Sequence, residues 1–119
     1  MPANICIISD NSKQRAKLNT CFTSHPLLST TFPANLKEIF QIAQQSSILM
    51  MIVAIKKRPA LPKKICKALK KHHLTRHTPI ILIDAQPPPE VNPIADAYLP
   101  QDFDIRDLEK LVRQITMGY

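Results

Sequence analysis

The sequence predicts an α/β protein with a parallel β-sheet, because short apolar runs alternate with amphipathic helical segments along its 119 residues. One run indicates the kind of sheet: residues 48–55 (ILMMIVAI) are apolar on both faces that a strand would present. A strand buries both faces where helices cover both sides of a sheet, as they do in parallel sheets. We therefore place residues 48–55 at the centre of a sheet that lies between two helical layers.

The first half of the chain contains three predicted strands and two predicted helices. The strands are 4–8 (NICII), 27–32 and 48–55. Turn and capping residues at 9–12 precede a helix over 13–22. The second helix begins at 33–35 and ends at Ser46 and Ser47.

The second half of the chain continues the alternation. The strands are 80–83 (IILI) and 97–99, and the helices are 62–73 and 104–116. Pro62 suits the first turn of a helix, and Asp104 is a natural N-cap. Residues 86–93 form a loop in this prediction, because consecutive prolines lack N–H donors and disfavour helical backbone before each ring.

This order of elements predicts a flavodoxin-like, doubly wound fold with a five-stranded parallel sheet in three α/β/α layers. The length fits a single domain over residues 1–119. Ligands of such sheets bind at the carboxyl ends of the strands, so the candidate site residues are those that follow the strands. They are Ser9, Asp10, Asn11, Ile55, Lys56, Asp84, Ala85, Pro100 and Gln101.

Four stretches, in the correct order, resemble the receiver domain of bacterial two-component response regulators. Residues 5–11 (ICIISDN) resemble its first strand and acidic turn, and residues 78–85 (TPIILIDA) resemble its fourth strand. Residues 95–103 (ADAYLPQDF) resemble its fifth strand, and residues 104–115 resemble its last helix. The resemblance spans the chain and implies phosphoryl transfer to an aspartate at the end of the third strand, with an acidic pair that helps bind magnesium. It also implies a Thr or Ser and a Lys that bind the phosphoryl oxygens.

The chain departs from this family at the phosphorylation site. The acidic pair falls on Ser9 and Asp10, which leaves one carboxylate. No Asp or Glu lies between Glu38 and Asp84, so the third strand offers no phosphoacceptor under any local shift of the alignment. The hydroxyl position falls on Asp84, and the lysine position falls on Gln101. We therefore expect a degenerate pseudo-receiver with no catalytic residue, whose site remnants are Ser9, Asp10, Asp84 and Gln101.

A second departure lies between Ala85 and Ala95, where the family has its fourth helix. Only nine residues intervene, and four of them are proline. We therefore expect the fourth helix to be shortened or missing. The family commonly uses this face for dimers and output contacts, so the face should be reshaped here.

The segment 56–76 contains nine of the chain's 16 basic residues and no acid. On a helix that starts at Pro62, its lysines share a broad outer stripe, and their mutual repulsion would be relieved by an acidic partner. The predicted partner-binding face consists of Lys56, Lys57, Arg58, Lys63, Lys64, Lys67, Lys70 and Lys71. The simpler interpretation is a solvated helix that keeps the protein soluble.

Composition limits the other function classes. The net charge of +7 favours acidic partners. The only glycine is Gly118, which excludes Gly-rich phosphate loops, dinucleotide fingerprints and the G-x-S-x-G nucleophile elbow. Three widely spaced cysteines suggest free thiols in a reducing cytoplasm, and no signal peptide is evident. The longest apolar run is eight residues, too short to span a bilayer. We expect no cofactor, no metal ion and no membrane association.

The leading hypothesis is a phosphorylation-independent protein–protein interaction module in bacterial signal transduction, without enzymatic activity. Its partner would be another signalling protein, with an acidic face; a homodimer also remains open. The alternative is a nucleic-acid or other polyanion-binding protein that uses segment 56–76. The absence of Phe, Tyr and Trp between Phe40 and Tyr98 weakens this alternative, since base stacking usually needs such rings. A small molecule in the former phosphate crevice is a further alternative.

Overall fold

The computed structural model describes residues 3–23, 28–58, 60–83 and 95–117. These residues form five strands and four helices. In chain order the elements are β1 (Ala3–Ser9), α1 (Ser12–Thr23), β2 (Leu28–Thr31), α2 (Leu36–Gln45), β3 (Ile48–Ala54), α3 (Leu61–Lys71), β4 (Ile80–Ile83), β5 (Ala97–Leu99) and α4 (Ile105–Met117). All the strands and helices predicted from the sequence are present, with bounds within one or two residues of the prediction.

The strands form one five-stranded parallel sheet in the order β2-β1-β3-β4-β5. β3 lies at the centre, as its two-sided apolar sequence predicts, and its residues 50–54 are buried. It pairs with β1 as far as the carboxyl ends of both strands, where Ser9 lies opposite Ala54. The strand order confirms the predicted flavodoxin-like fold and brings the residues after β1 and β3 side by side.

The side chains of the central strands alternate between two cores, one on each face of the sheet. In β1, Ile5 and Ile7 pack with residues of α1 and α4, whereas Cys6 and Ile8 pack with residues of α2 and α3. The helix residues buried in the first core are Leu18, Cys21, Phe22, Leu108 and Val112, and those in the second are Ile39, Ile65, Cys66 and Leu69. Each fully buried Leu or Ile stabilises the fold by roughly 1.5–3 kcal/mol. The two cores confirm the predicted three-layer arrangement.

Polar side chains fix the starts of three helices. The side-chain oxygens of Asn11 and Asn35 each accept the backbone N–H of the third residue along the chain, at 3.0 Å. Asp104 accepts the N–H of the second residue along, at 2.8 Å, which confirms its predicted role as an N-cap. These bonds satisfy N–H groups that have no partner inside the helix. The cap at Asn11 also fixes where the chain turns after β1.

The predicted helix 62–73 is wrong at its end, because α3 ends at Lys71. His72 has extended backbone angles (φ −78°, ψ 134°), and its ring stacks on Phe40 with a centroid distance of 3.9 Å. The buried Thr75 hydroxyl then donates to the carbonyl oxygen of Leu69 at 2.6 Å. The hydroxyl of Thr75 thus satisfies a carbonyl group in the last turn of α3, and the stacking on Phe40 holds His72 outside the helix. Hydrophobic periodicity in the sequence does not reveal either contact.

The predicted loss of the fourth helix concerns residues 86–94, which lie outside the described residues together with Asp84 and Ala85. Among the helices that the structure describes, none is long and apolar enough to cross a membrane. The three cysteines are buried and form no disulfide with one another. Burial raises the pKa of the Cys6 thiol to about 11, which makes the thiolate scarce at neutral pH.

Candidate functional site

The candidate site lies at the carboxyl ends of the strands, as predicted. Ser9 ends β1 and is followed by Asp10 and Asn11, while Ile55 and Lys56 follow β3. Pro100 and Gln101 follow β5. Asp84 and Ala85, which follow β4, lie outside the described residues. The predicted site residues that the structure describes therefore lie in the loops after β1, β3 and β5.

Asp10 links the loop after β1 to the loop after β3. Its two carboxylate oxygens accept the backbone N–H groups of Lys56 at 2.8 Å and of Lys57 at 2.9 Å. Partial burial acts to raise the pKa of Asp10, but the two backbone hydrogen bonds and the charge of Lys57 outweigh it, so the pKa lies below its usual value. Asp10 is thus held as a carboxylate with one hydrogen bond on each oxygen.

Ser9 takes the other position of the expected acidic pair, and its hydroxyl group forms hydrogen bonds with the backbone of Asn11. The hydroxyl oxygen lies 3.2 Å from both the carbonyl oxygen and the amide nitrogen of Asn11. It donates to the first group and accepts from the second, which closes the turn that leads into α1. The pair therefore presents one carboxylate, and that carboxylate binds the neighbouring backbone.

The residue directly after β3 is apolar and belongs to the core. Ile55 is 7% exposed and packs in the cluster that includes Ile8 of β1 and Ile65 of α3. Solvent exposure begins at the next residue, Lys56. No residue from 48 to 58 carries a carboxylate, so the end of β3 presents an isoleucine and then a cation.

Gln101 lines a small crevice of about 190 Å³ together with Asn11, Lys13, Gln14 and Lys56. The Gln14 side-chain amide donates to the backbone carbonyl of Gln101 at 3.4 Å, which holds the loop after β5 against α1. The structure therefore brings Gln101 together with Lys56, as the sequence predicted for the crevice. Sequence reasoning missed Lys13 and Gln14, although both lie within one turn of the capping residue Asn11.

A second and larger cleft, of about 500 Å³, lies at the same sheet edge and shares no lining residue with the first. Its polar lining residues include Asp10, Arg15, Lys57 and Arg58. Its apolar wall includes Phe32, which is 38% exposed. Sequence reasoning missed Arg15 and Phe32. The position of Phe32 is a usable signal, because Phe32 directly follows β2 and ligands bind at the carboxyl ends of the strands.

The predicted basic face is largely exposed. The exposed cations are Lys56, Lys57, Arg58, Lys63, Lys64, Lys67 and Lys71. Lys70 differs from these residues, because it is half-buried and its ammonium group lies 2.8 Å from the Asp96 carboxylate and 3.3 Å from the Thr78 carbonyl oxygen. Asp96 lies 26 residues away along the chain, so the pairing depends on the sheet bringing β5 beside β4.

Within the described ranges, no three His, Cys, Asp or Glu side chains cluster in a way that could hold a metal ion. Asp10 is the one carboxylate among the described residues that line the larger cleft, and each of its oxygens accepts one backbone N–H. The described part of the sheet edge is therefore dominated by cations. An environment of this kind favours anionic groups over divalent metal ions.

Known structures resemble the whole chain, although no protein-family profile and no curated protein sequence matches it. The chemotaxis protein CheY4 of Vibrio cholerae superposes with a TM-score of 0.78 at 17% identity, over 97% of this chain and 99% of that one. The receiver domain of an HD domain-containing protein from Pseudomonas fluorescens gives a TM-score of 0.79 at 14% identity, over 99% and 97% of the two chains.

A third structure of this kind contains a metal ion. It is the receiver domain of a sensor histidine kinase from Pseudomonas aeruginosa, with magnesium coordinated in its active-site cleft. It matches with a TM-score of 0.75 at 15% identity, and the match covers all of both chains. The TM-scores establish a shared architecture, whereas identities of 14–17% do not establish a shared function. The chemistry must therefore be argued from the residues of the site. The chain has the fold of the receiver domains of two-component signal transduction.

Proposed function

We propose that residues 1–119 form a single pseudo-receiver domain that acts in bacterial signalling as a protein-interaction module, independently of phosphorylation. The observation that carries the proposal is the use of Asp10. Both of its oxygens accept backbone N–H groups from the loop after β3, and that loop offers no carboxylate. A residue that would otherwise help to hold a metal ion binds the protein's own backbone.

The chemistry of phosphoryl transfer supports this proposal. Transfer to a carboxylate needs an acceptor oxygen, together with positive charge placed on the transferring group by a metal ion and a fixed cation. Ile55, which follows β3, has no nucleophilic atom, and its side chain is buried. Gln101 offers an amide in place of a charge. In this proposal Ser9, Asp10, Asp84 and Gln101 are remnants of a receiver site.

The exposed cations of α3 and of the loop before it are the contact surface in this proposal. Lys63, Lys64 and Lys67 are exposed on α3, and its amphipathic sequence buries Ile65 and Leu69 on the opposite side. Positions three and four apart on a helix face each other, so Lys63 and Lys67 repel unless an anion lies between them. An acidic partner surface would remove this repulsion on binding.

The experiment is affinity capture from the native cell with the chain as bait, repeated after treatment with a small phosphodonor. We expect a partner that is retained equally before and after that treatment. The double variant Lys63→Glu/Lys67→Glu should lose it, while Lys110→Glu, an exposed change on α4, should keep it. Equal retention by both variants, or capture only after phosphodonor treatment, would contradict the proposal.

The same exposed cations favour a second candidate, the binding of nucleic acid through segment 56–76. Backbone phosphates would bind these lysines, and the affinity would fall steeply with salt. Titration with duplex DNA and with RNA at several salt concentrations separates the two candidates. Saturable binding at moderate salt that is lost in Lys63→Glu/Lys67→Glu supports the second candidate, and its absence removes that candidate.

A further inference from the structure

We propose that the larger cleft binds a small phosphate ester with an apolar or aromatic body. The cleft lies between the first turn of α1, the residues that follow β2 and the loop after β3. Its volume of about 500 Å³ is within the range of pockets that hold small organic ligands, roughly 300–1,000 Å³. The proposal does not depend on whether α3 binds a protein.

The residues that line the cleft carry an excess of positive charge, which favours an anionic ligand. Arg15, Lys57 and Arg58 line it, and none of them belongs to an ion pair among the residues described. Asp10, the single acid among the described lining residues, has one backbone hydrogen bond on each oxygen, and its one negative charge offsets only one of the three positive charges. The cleft therefore keeps an excess of positive charge that a phosphate group would balance.

Arg15 is positioned in advance for such a ligand. One terminal nitrogen of its guanidinium group donates to the carbonyl oxygen of Ser9 at 2.8 Å, which ties the side chain to the end of β1. The same guanidinium group lies over the Phe32 ring, 5.7 Å from its centroid. Arginine has five N–H donors, so a tethered guanidinium still has donors for a phosphate oxygen.

The apolar half of the proposal rests on the walls of the cleft. Phe32 is a large hydrophobic side chain that is exposed to solvent, and it lines the cleft. An adjoining, mostly apolar cleft of about 380 Å³ extends between α2 and α3. It shares four lining residues with the larger cleft: Ile8, Ala34, Ile55 and Leu61. A ligand with its phosphate near Arg15 thus has both an aromatic ring and an apolar floor beside it.

This cleft borders the former phosphorylation site but does not coincide with it. Ser9, Asp10 and Ile55 line the cleft, whereas Gln101 lines the smaller crevice, and the two share no lining residue. Ligand binding here would therefore leave the residues around Gln101 unaffected. This separation makes the site identifiable by the residues that respond to a ligand.

The test is a titration of the full chain with phenyl phosphate, followed through the backbone amide signals in nitrogen–proton NMR spectra. We expect saturable shifts at residues around Phe32, Lys57 and Leu61, and none at Gln101. Inorganic phosphate and phenol, which are the two halves of the probe, should each bind more weakly than the ester. Equal affinity for inorganic phosphate would overturn the apolar half of the proposal, and no saturable shift with any probe would overturn all of it.

Two variants and a control complete the test. Arg15→Gln should weaken phenyl phosphate binding about tenfold or more, the effect of losing one hydrogen bond to a charged group. Phe32→Leu should weaken it severalfold, because an aliphatic side chain cannot stack with the ring of the probe. Lys13→Gln removes an exposed cation from the same helix and should leave the affinity unchanged. If Arg15→Gln and Lys13→Gln have equal effects, the cleft is not the binding site.

Discussion

Asp10→Ala tests directly whether Asp10 links two loops. The substitution removes two hydrogen bonds of 2.8 and 2.9 Å to the amides of Lys56 and Lys57. A hydrogen bond to a charged group contributes about 1.5–3 kcal/mol where water is excluded, and less where water can replace it. Asp10 is half-buried, so we expect the free energy of unfolding to fall by about 1–2 kcal/mol in total.

The assay for Asp10→Ala is urea denaturation at neutral pH, with Asp102→Ala as the matched control. Asp102 is an exposed acid of the loop after β5, so its removal changes the net charge equally. We expect the control to change stability by less than about 0.5 kcal/mol. Equal losses of stability in the two variants, or a gain in stability for Asp10→Ala, would show that Asp10 does not link the two loops. A carboxylate without these hydrogen bonds would contribute no more to the free energy of unfolding than Asp102 does.

The pH dependence of stability provides an independent test of the same residue. The native pKa of Asp10 lies below its ordinary value of 3.8, so the unfolded chain binds the proton more tightly. The stability that its charge contributes is therefore complete above the ordinary pKa and is lost as pH falls through the lower native pKa. Asp10→Asn removes this contribution, so the stability difference between wild type and Asp10→Asn should shrink in acid below 3.8. A difference that grows in acid would contradict this sign.

Three further outcomes are expected. Millimolar magnesium chloride should leave the melting temperature unchanged, because Asp10 is the one carboxylate among the described lining residues of its cleft and three cations line the same cleft; a rise that Asp10→Ala abolishes would show that Asp10 is a metal ligand after all. Lys70→Ala should cost less than about 1 kcal/mol, since its ion pair is partly exposed; Asp96→Ala should cost more in the same denaturation assay, because this carboxylate also accepts the N–H of Ile80 at 2.8 Å. Leu69→Ala, at a fully buried position of α3, should lower the unfolding free energy by about 2–5 kcal/mol, and a loss below 1 kcal/mol would mean that Leu69 is not in the core.

The fold could be predicted because its signals are local. The run 48–55 shows in its own residues that both faces of a strand are buried, and this places it at the centre of the sheet. Asn11 and Asp104 mark the starts of helices by a side chain that reaches the next turn. Signals of this kind need no knowledge of the remainder of the chain.

The contacts that escaped prediction join residues far apart in the sequence. The helical pattern predicts an open face for Lys70, but the pairing of β4 with β5 brings Asp96 against it. The same pattern predicts an end of α3 two residues too late, because the Thr75 hydroxyl and the Phe40 ring stabilise a backbone that sequence periodicity does not report. In both cases tertiary contacts overrode a helical pattern.

The sequence predicts where the candidate site lies on the sheet, but it predicts only some of the residues that line it. Ser9, Asp10, Lys56 and Gln101 lie at the carboxyl edge of the sheet, where the strand order predicts them. The hydrogen bonds that Asp10 accepts from the loop after β3 span more than 45 residues of sequence, so the position of Asp10 is predictable from the sequence and its hydrogen-bond partners are not. The cleft near Arg15 and Phe32 depends on how the loops after β1, β2 and β3 meet.

The most direct test of the central claim is the intact mass of the chain after incubation with acetyl phosphate and magnesium, beside a conventional receiver domain as the positive control. We expect the control to gain a phosphoryl group and this chain to gain none, because the residue after β3 is a buried isoleucine. A stable, stoichiometric aspartyl phosphate on this chain, mapped to Asp10 or Asp84 by borohydride reduction and peptide sequencing, would show that the chain is a phosphorylatable receiver.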